Sequence, residues 1–237
     1  MTRAVHCLKQ IVFCGVVAAM LLAAPARAVP PDRITVYYDV SYNGLVMAEG
    51  HETLRHDART YLIESELRGK GIFAIAQRGA VKRSSRGEIT PVGLRPLEFR
   101  DQRGDRTPEY ARFDWPARLV THEREGSKQS SAIGNGTQDR VSFLWNFSFV
   151  PPRGEVSTQV EDGRGTTQFR FAIAGKETIK TDAGNIECLH LVKVKDAGDS
   201  RDTDVWLALD RSLIPIRLLV VEKNGTRVDQ VATRIES

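Results

Sequence analysis

From Ile34 onward the chain alternates. Ile34, Val36, Tyr38, Val40 and Tyr42 fall on one side of a two-residue period, with Thr35, Tyr37, Asp39 and Ser41 on the other. Successive side chains of an extended strand point to opposite faces, so the pattern predicts a half-buried strand. Asn43-Gly44 follows, a pair suited to the positive φ angles of a tight hairpin turn, and Leu45 to Met47 resumes the strand pattern. The same device recurs near the end, where Asn224-Gly225 separates Ile216–Lys223 from Thr226–Ile235. Further strand candidates are Tyr61–Leu67, Leu94–Asp101, Tyr110–Asp114, Leu119–Glu123, Thr167–Ile173, Ile186–Lys195 and Asp204–Leu209, with Gly, Pro, Asp and Asn in the gaps. Many short strands with little helical periodicity predict a mainly β protein. The expected form is a curved antiparallel sheet, either a sandwich or a half-barrel, with one short helix packed on it.

That helix is expected where two periodicities compete. Val141, Phe143, Trp145, Phe147 and Phe149 alternate as in a strand, but Leu144 breaks the alternation and Asp139 precedes the run as a good N-cap. A helix from Arg140 to about Phe149 would place Val141, Leu144 and Trp145 on one face, with Phe143 and Phe147 beside them, and Pro151-Pro152 would stop it. The N-cap favours the helix, though periodicity alone leaves both forms open.

The first 28 residues read as a secretory signal. Arg3 and Lys9 supply positive charge, Ile11 to Ala24 is an apolar run, and Ala26-Arg27-Ala28 offers a small-residue cleavage site before Val29. The run is shorter than the roughly 20 residues a spanning helix needs. Residues 29–237 are then expected to form a single β-rich periplasmic domain. Removing Arg3, Lys9 and Arg27 lowers the formal charge of +4 to about +1. The remaining cations are scattered among acids, whereas nucleic-acid binding calls for a concentrated basic face. Cys7 and Cys14 leave with the signal, so Cys188 remains without an internal disulfide partner.

Two short segments resemble each other. Gly50 to Ala58 (GHETLRHDA) and Gly175 to Ala183 (GKETIKTDA) share five identical positions. Leu94-Arg-Pro-Leu97 and Leu213-Ile-Pro-Ile216 follow them in the same order. Two related half-sheets around a central helix would account for this, as would chance likeness between short hairpins that reuse Gly, Thr and Asp.

The segment Gln138-Asp-Arg-Val-Ser-Phe-Leu-Trp145 is the most specific motif. With Gly93-Leu-Arg-Pro96, Phe113-Asp-Trp115, Val205-Trp-Leu-Ala208 and Leu213-Ile-Pro-Ile-Arg217, it resembles, in order and over roughly Val36 to Val231, the exported bacterial proteins of the domain of unknown function 3108 family. The resemblance implies a periplasmic β-rich domain with a helix at the Gln138 motif. It implies no activity and supplies no site residues.

Candidate chemistry is sparse. His51 and His56 flank a Glu, but they are five apart, whereas the zinc protease motif needs four on a helix. In a strand an odd separation sends them to opposite faces. Cys188 and His190 share a face of a predicted strand, yet Ile186, Val192 and Val194 on that face look like core. A packed thiol is therefore expected rather than a nucleophile. Asp39, Glu64 and Glu66 could pair across strands, an arrangement too common in β proteins to signal a glycosidase. No Gly-x-Ser-x-Gly elbow or phosphate-cradling loop is present, and no cofactor is implied.

The remaining candidate site is apolar: Phe143, Leu144, Trp145 and Phe147. A helix plugging the concave side of a sheet either fills it or leaves an apolar groove, and ligand sites are concave and mostly apolar. The leading expectation is a non-enzymatic periplasmic protein with a binding or envelope-maintenance role. Its partner would be an apolar ligand, such as a lipid, or another envelope protein. A hydrolase assembled from scattered polar residues and an interaction protein using an exposed strand edge, such as the final hairpin, are the alternatives.

Overall fold

The computed structural model describes residues 29–72, 74, 79–196 and 198–237. The expected signal segment, residues 1–28, lies outside them. Fifteen strands are described. The first eight are β1 (Arg33–Tyr42), β2 (Leu45–His56), β3 (Thr60–Gly69), β4 (Val81–Thr90), β5 (Gly93–Arg103), β6 (Glu109–Asp114), β7 (Leu119–Arg124) and β8 (Ser127–Ala132). The short strand β9 (Gln138–Asp139) and the helix α1 (Ser142–Phe149) follow. The rest are β10 (Val156–Glu161), β11 (Thr166–Thr181), β12 (Gly184–Lys193), β13 (Asp202–Ala208), β14 (Pro215–Val221) and β15 (Arg227–Glu236).

All fifteen belong to one large, open, curved sheet in the order β8-β7-β6-β5-β4-β3-β2-β1-β15-β14-β13-β12-β11-β10-β9. The chain is thus mainly β with a short helix, as the alternation predicts. Pairing is antiparallel except between β9 and β10. Two meanders of local hairpins run outward from the centre, where the first strand pairs with the last. Irregular registers at Tyr37/Tyr38, Val40/Ser41 and Arg86/Gly87 mark bulges, which bend a strand and sharpen its twist. The final hairpin therefore lies at the middle of the sheet, and its edges are β8 and β9.

The two ends approach each other and are joined by side chains. His122 on β7 reaches Glu161 on β10 at 3.2 Å, and Arg164 pairs with Glu109 on β6 at 2.8 Å. The Gln159 carboxamide oxygen accepts from the Gly134 amide at 2.8 Å and the Thr137 hydroxyl at 3.0 Å. Gln138 Nε2 donates to the Leu94 carbonyl at 2.8 Å. Closure removes the liability of an open edge when strands pair. Here polar side chains hold the seam instead, so the chain is barrel-like without a complete backbone ladder.

One core cluster draws on both meanders: Val36, Leu54, Ile63 and Phe99 from the first, Cys188, Trp206, Ala208 and Ile216 from the second, and Trp145 from α1. A second cluster holds Phe143, Phe147, Val160, Phe171, Leu191, Val205 and Leu207. Along β13, residues 205 and 207 join one cluster and residues 206 and 208 the other. This strand is buried on both faces, which is why its sequence is continuously apolar.

The helix begins two residues later than the sequence suggests, at Ser142 rather than Arg140. Its N-cap residue is Val141, not the expected Asp139, and carries no side-chain cap bond. Asp139 still organises the turn that leads in: one carboxylate oxygen accepts from the amides of Val141 and Ser142, at 2.9 and 2.8 Å. Those amides would otherwise lack partners at a helix N-terminus. The other oxygen accepts from Ser85 at 2.5 Å, and Ser85 bonds to the Tyr61 hydroxyl at 3.0 Å. Asp139 is fully buried, and burial pushes its pKa up to about 6 against the opposing pull of the Ser85 and backbone donors. The two sides of α1 serve different clusters, Trp145 one and Phe143 with Phe147 the other.

Two local expectations are corrected. The Asn43-Gly44 turn has positive φ at both residues (50° and 84°), as a tight hairpin requires. At the second hairpin only Gly225 does (φ 82°), because β14 ends at Val221 and the loop widens to Glu222–Thr226. Strands β4, β8, β9 and β10 carry no clear apolar period. Inward positions of β4 are Ser85 and Gly87, and β8 is polar up to its last residue, Ala132.

The two resembling segments occupy matching places. Gly50–Ala58 lies on β2 and the turn after it, and Gly175–Ala183 on β11 and the turn after it. Leu94–Leu97 lies three strands further, on β5, and Leu213–Ile216 leads into β14. The glutamates of the pair act alike: Glu52 accepts the Trp145 indole N–H at 2.8 Å and Glu177 accepts that of Trp206 at 2.8 Å.

Two outcomes follow for stability. Trp145→Ala should cost about 3–5 kcal/mol by cavity formation, read as a lower urea midpoint. A change under about 1 kcal/mol would mean the helix is not seated as described. For Asp139 the folded pKa lies above its ordinary 3.8, so its contribution is full below that value and is lost as pH rises through about 6. Relative to Asp139→Asn, which can still accept from the same amides, the unmodified chain should lose about 1–3 kcal/mol between pH 4 and pH 7 in urea unfolding. A difference that does not vary with pH would contradict the buried carboxyl.

Candidate functional site

The helix and the second meander border a cavity of about 380 Å³ that is open to solvent on one side. Its floor comes from alternate residues of the β11–β14 region of the sheet: Thr167, Phe169 and Phe171 on β11, Thr203 and Val205 on β13, and Leu218 and Val220 on β14. Period-two geometry sends each of these sets to one face. Phe143 and Leu144 cover it from α1, and Val160 closes it from β10. Phe143 sits 5.8 Å from Phe169 and 5.5 Å from Phe171 by ring centroid, within the range of favourable aromatic pairing.

The rim is charged. Lys193 lies 2.6 Å from Asp199, with its ammonium 5.1 Å from the Phe169 ring centroid. Its stem is nearly buried and its charge is met by both a carboxylate and a π face. The Lys193 ammonium holds the Asp199 carboxyl below its ordinary pKa. Arg201 pairs with Glu222 at 2.8 Å. Asp162 receives the amides of Arg164 and Gly165 at 2.9 and 3.2 Å. Arg140 reaches the same rim. Arg140 is exposed; partial desolvation at the rim and the like charge of Arg83 lower its pKa, against the pull of Asp162 and Asp101.

Of the four residues singled out in sequence, Phe143 and Leu144 line this cavity. Trp145 and Phe147 do not. Trp145 is 0% exposed in the main core and Phe147 3% exposed in the second. A helix turns 100° per residue, so Trp145, two positions after Phe143, faces away from it, while Phe147, about one turn on, packs edge-on against Phe143 at 5.6 Å within the second cluster. Phe169, Phe171, Lys193 and Val220 were missed. The alternation of Thr167–Ile173 marks Phe169 and Phe171 as one strand face, but nothing local shows what faces them.

The histidines lie on separate partners. His51 faces Tyr37 at 5.8 Å, and His56 meets Phe149 edge-on at 5.3 Å, on the opposite face of β2. His122 approaches Glu161, whose carboxyl burial raises in pKa while the Thr166 hydroxyl and His122 oppose the rise. His190 stacks on Trp206 at 4.4 Å and lies 3.0 Å from Glu177. Cys188 shares its face with His190, as expected from parity, but is wholly buried. Burial, then the nearby carboxylates of Asp210, Glu177 and Glu187, push its thiol up to about 12, so it holds its proton and packs as an apolar group. Glu64 pairs with Arg55, and Glu66 with Arg68 and Lys82; Asp39 lies 3.8 Å from Lys70. These carboxylates bind cations rather than one another.

The motif residues mostly hold the scaffold together. The Leu94 amide donates to Asn146 Oδ1 at 2.8 Å, and a β-carbon on Gly93 would stand 2.3 Å from that oxygen. Trp115 Nε1 donates to the Pro96 carbonyl at 2.7 Å, and the Arg217 guanidinium lies over Trp206 at 4.6 Å.

No curated protein matches the chain. Among solved structures, a beta-barrel-like protein of the domain of unknown function DUF1849 from Brucella abortus is similar at a TM-score of 0.53 and 10% identity, covering 89% of this chain and 98% of that one. A protein with a YmcC-like fold from Bacteroides fragilis is more distant, at a TM-score of 0.38 and 8% identity over 86% of this chain and 95% of that one. At such identities the first likeness speaks to fold alone. A family model for proteins of unknown function matches residues 37–231, and over that span the chain belongs to the DUF3108 family.

Proposed function

We propose that residues 29–237 form one exported, periplasmic domain that binds a small apolar ligand without transforming it. The cavity between α1 and the second meander carries this reading. At about 380 Å³ it lies at the lower end of the size range of ligand sites, and it has their usual make-up of an apolar, aromatic floor with a few polar groups at the rim. Among the described residues its lining includes neither His nor Cys. The four histidines among the described residues, His51, His56, His122 and His190, each rest on different partners, which favours binding over catalysis. Export is supported by the charged, apolar and small-residue tripartite start of the chain.

Binding is tested with N-phenyl-1-naphthylamine, a neutral apolar fluorophore, on the protein lacking residues 1–28. The expected result is saturable enhancement at one site per chain. Leu144→Trp and Val220→Trp, which enlarge side chains on opposite walls, should each weaken it at least about tenfold, or about 1.4 kcal/mol, with the thermal midpoint little changed. Enhancement that never saturates, or that survives both fillings, would remove the cavity as the site.

A further inference from the structure

In the Gln138–Trp145 motif most polar groups have structural partners. Gln138 Nε2 donates to the Leu94 carbonyl, although its buried Oε1 has no partner among the described residues; Asp139 accepts the Val141 and Ser142 amides; Ser142 Oγ accepts the Asp139 amide at 3.0 Å; and Trp145 donates to Glu52. Arg140 is the charged member without an ion pair. Among the described residues no carboxylate lies within 4.0 Å of its guanidinium, and it reaches the cavity rim. The other rim cations are already matched, Lys193 by Asp199 and Arg201 by Glu222. Asp162 and Asp101 attract Arg140 from a greater distance, but the Asp162 carboxylate is engaged by the amides of its own turn and Asp101 is paired with Arg83 and Arg103, whose like charges oppose its pull. The mouth of an apolar cavity therefore carries one cation without an ion pair among the described residues, with the rim carboxylates Asp162 and Asp199 already occupied.

We propose that the cavity takes an anionic single-chain amphiphile, its tail against Phe143, Phe169 and Phe171 and its acid group on Arg140. This rests on the apolar-ligand reading above and adds the charge of the ligand's head. Guanidinium suits the role because its planar fork donates two parallel hydrogen bonds to a carboxylate or phosphate. The head group would stay at the rim, so the ligand need not bring an unpaired charge into the apolar interior, which is costly. A fatty acid and a lysolipid-type phosphate share this chemistry.

Competition against bound N-phenyl-1-naphthylamine at about pH 8 tests it, with the carboxylate ionised. Dodecanoate, dodecyl phosphate and dodecan-1-ol have the same tail. The two anions should displace the probe at concentrations at least about tenfold lower than the alcohol. Arg140→Gln should bring all three within about threefold by weakening the anions alone, and Arg140→Lys should restore part of the preference. A stronger response to one anion than to the other identifies the head group while supporting the proposal. Equal displacement by alcohol and anions in the unmodified protein overturns it and leaves the apolar cavity standing, as does a preference that survives Arg140→Gln. A probe that does not bind at all overturns both readings.

Discussion

The indole of Trp145, completely buried and hydrogen-bonded through its N–H to Glu52 on β2, ties the helix to the sheet. A large aromatic supplies much apolar area, but its N–H must find an acceptor once water is excluded. Glu52 provides one, at the expense of its own solvation: burial raises its pKa, and the Trp145 N–H and Ser65 hydroxyl work against that rise. The position of α1 thus depends on a pair in which each partner satisfies the other. The helix is short and has no intrahelical ion pairs to steady it. Its stability must come from such tertiary contacts, as is general for segments of this length.

The second meander repeats this solution. Glu177, at the place in its segment that Glu52 holds in the first, accepts the indole N–H of Trp206. The two glutamates lie three residues before Arg55 and Lys180, and the residues between them include the core positions Leu54 and Ile179. The acceptors and the three-strand spacing match between the two segments, but the donors do not, Trp145 lying on α1 and Trp206 on β13, so the shared bond does not separate related half-sheets from chance likeness. The halves differ in what covers them. The second has its outer face under Phe143, Phe147 and Leu144, and the cavity arises there because the eight-residue α1 cannot cover the full breadth of strands β10 to β14.

The seam between the sheet's ends gathers an unusual share of buried polar groups: His122, Gln138, Asp139 and Glu161 are all under 9% exposed. Burying such groups is unfavourable unless they are hydrogen-bonded. What they provide is direction, since an apolar contact at the same place would not fix which strands meet. The Arg140 guanidinium emerges beside this seam, so the same short motif both closes the sheet and presents a cation to the cavity.

The alternation of Ile34–Tyr42, the Asn43-Gly44 turn, the strand patterns of β12 and β13 and the part Asp139 plays at the start of α1 were all legible, because each rests on the backbone's own period or on contacts within a few residues. The parity that buries Cys188 beside core residues was legible for the same reason. Strands β4 and β8 were not, since Ser85, Gly87 and the polar stretch of β8 take strand geometry from their neighbours rather than from their own pattern. Half of the candidate site, Phe143 and Leu144, could be read from sequence. Its other walls on β11, β13 and β14 could not, because their meeting with α1 depends on how far the sheet curves and on which strands its ends bring together. By itself the sequence determined the strands and the role of Asp139, through local periodicity and hydrogen-bonding need. Only the tertiary structure decided that Trp145 is core, that Arg140 has no ion pair among the described residues, and that a cavity remains between them and the second meander, because these depend on contacts between residues far apart in the chain.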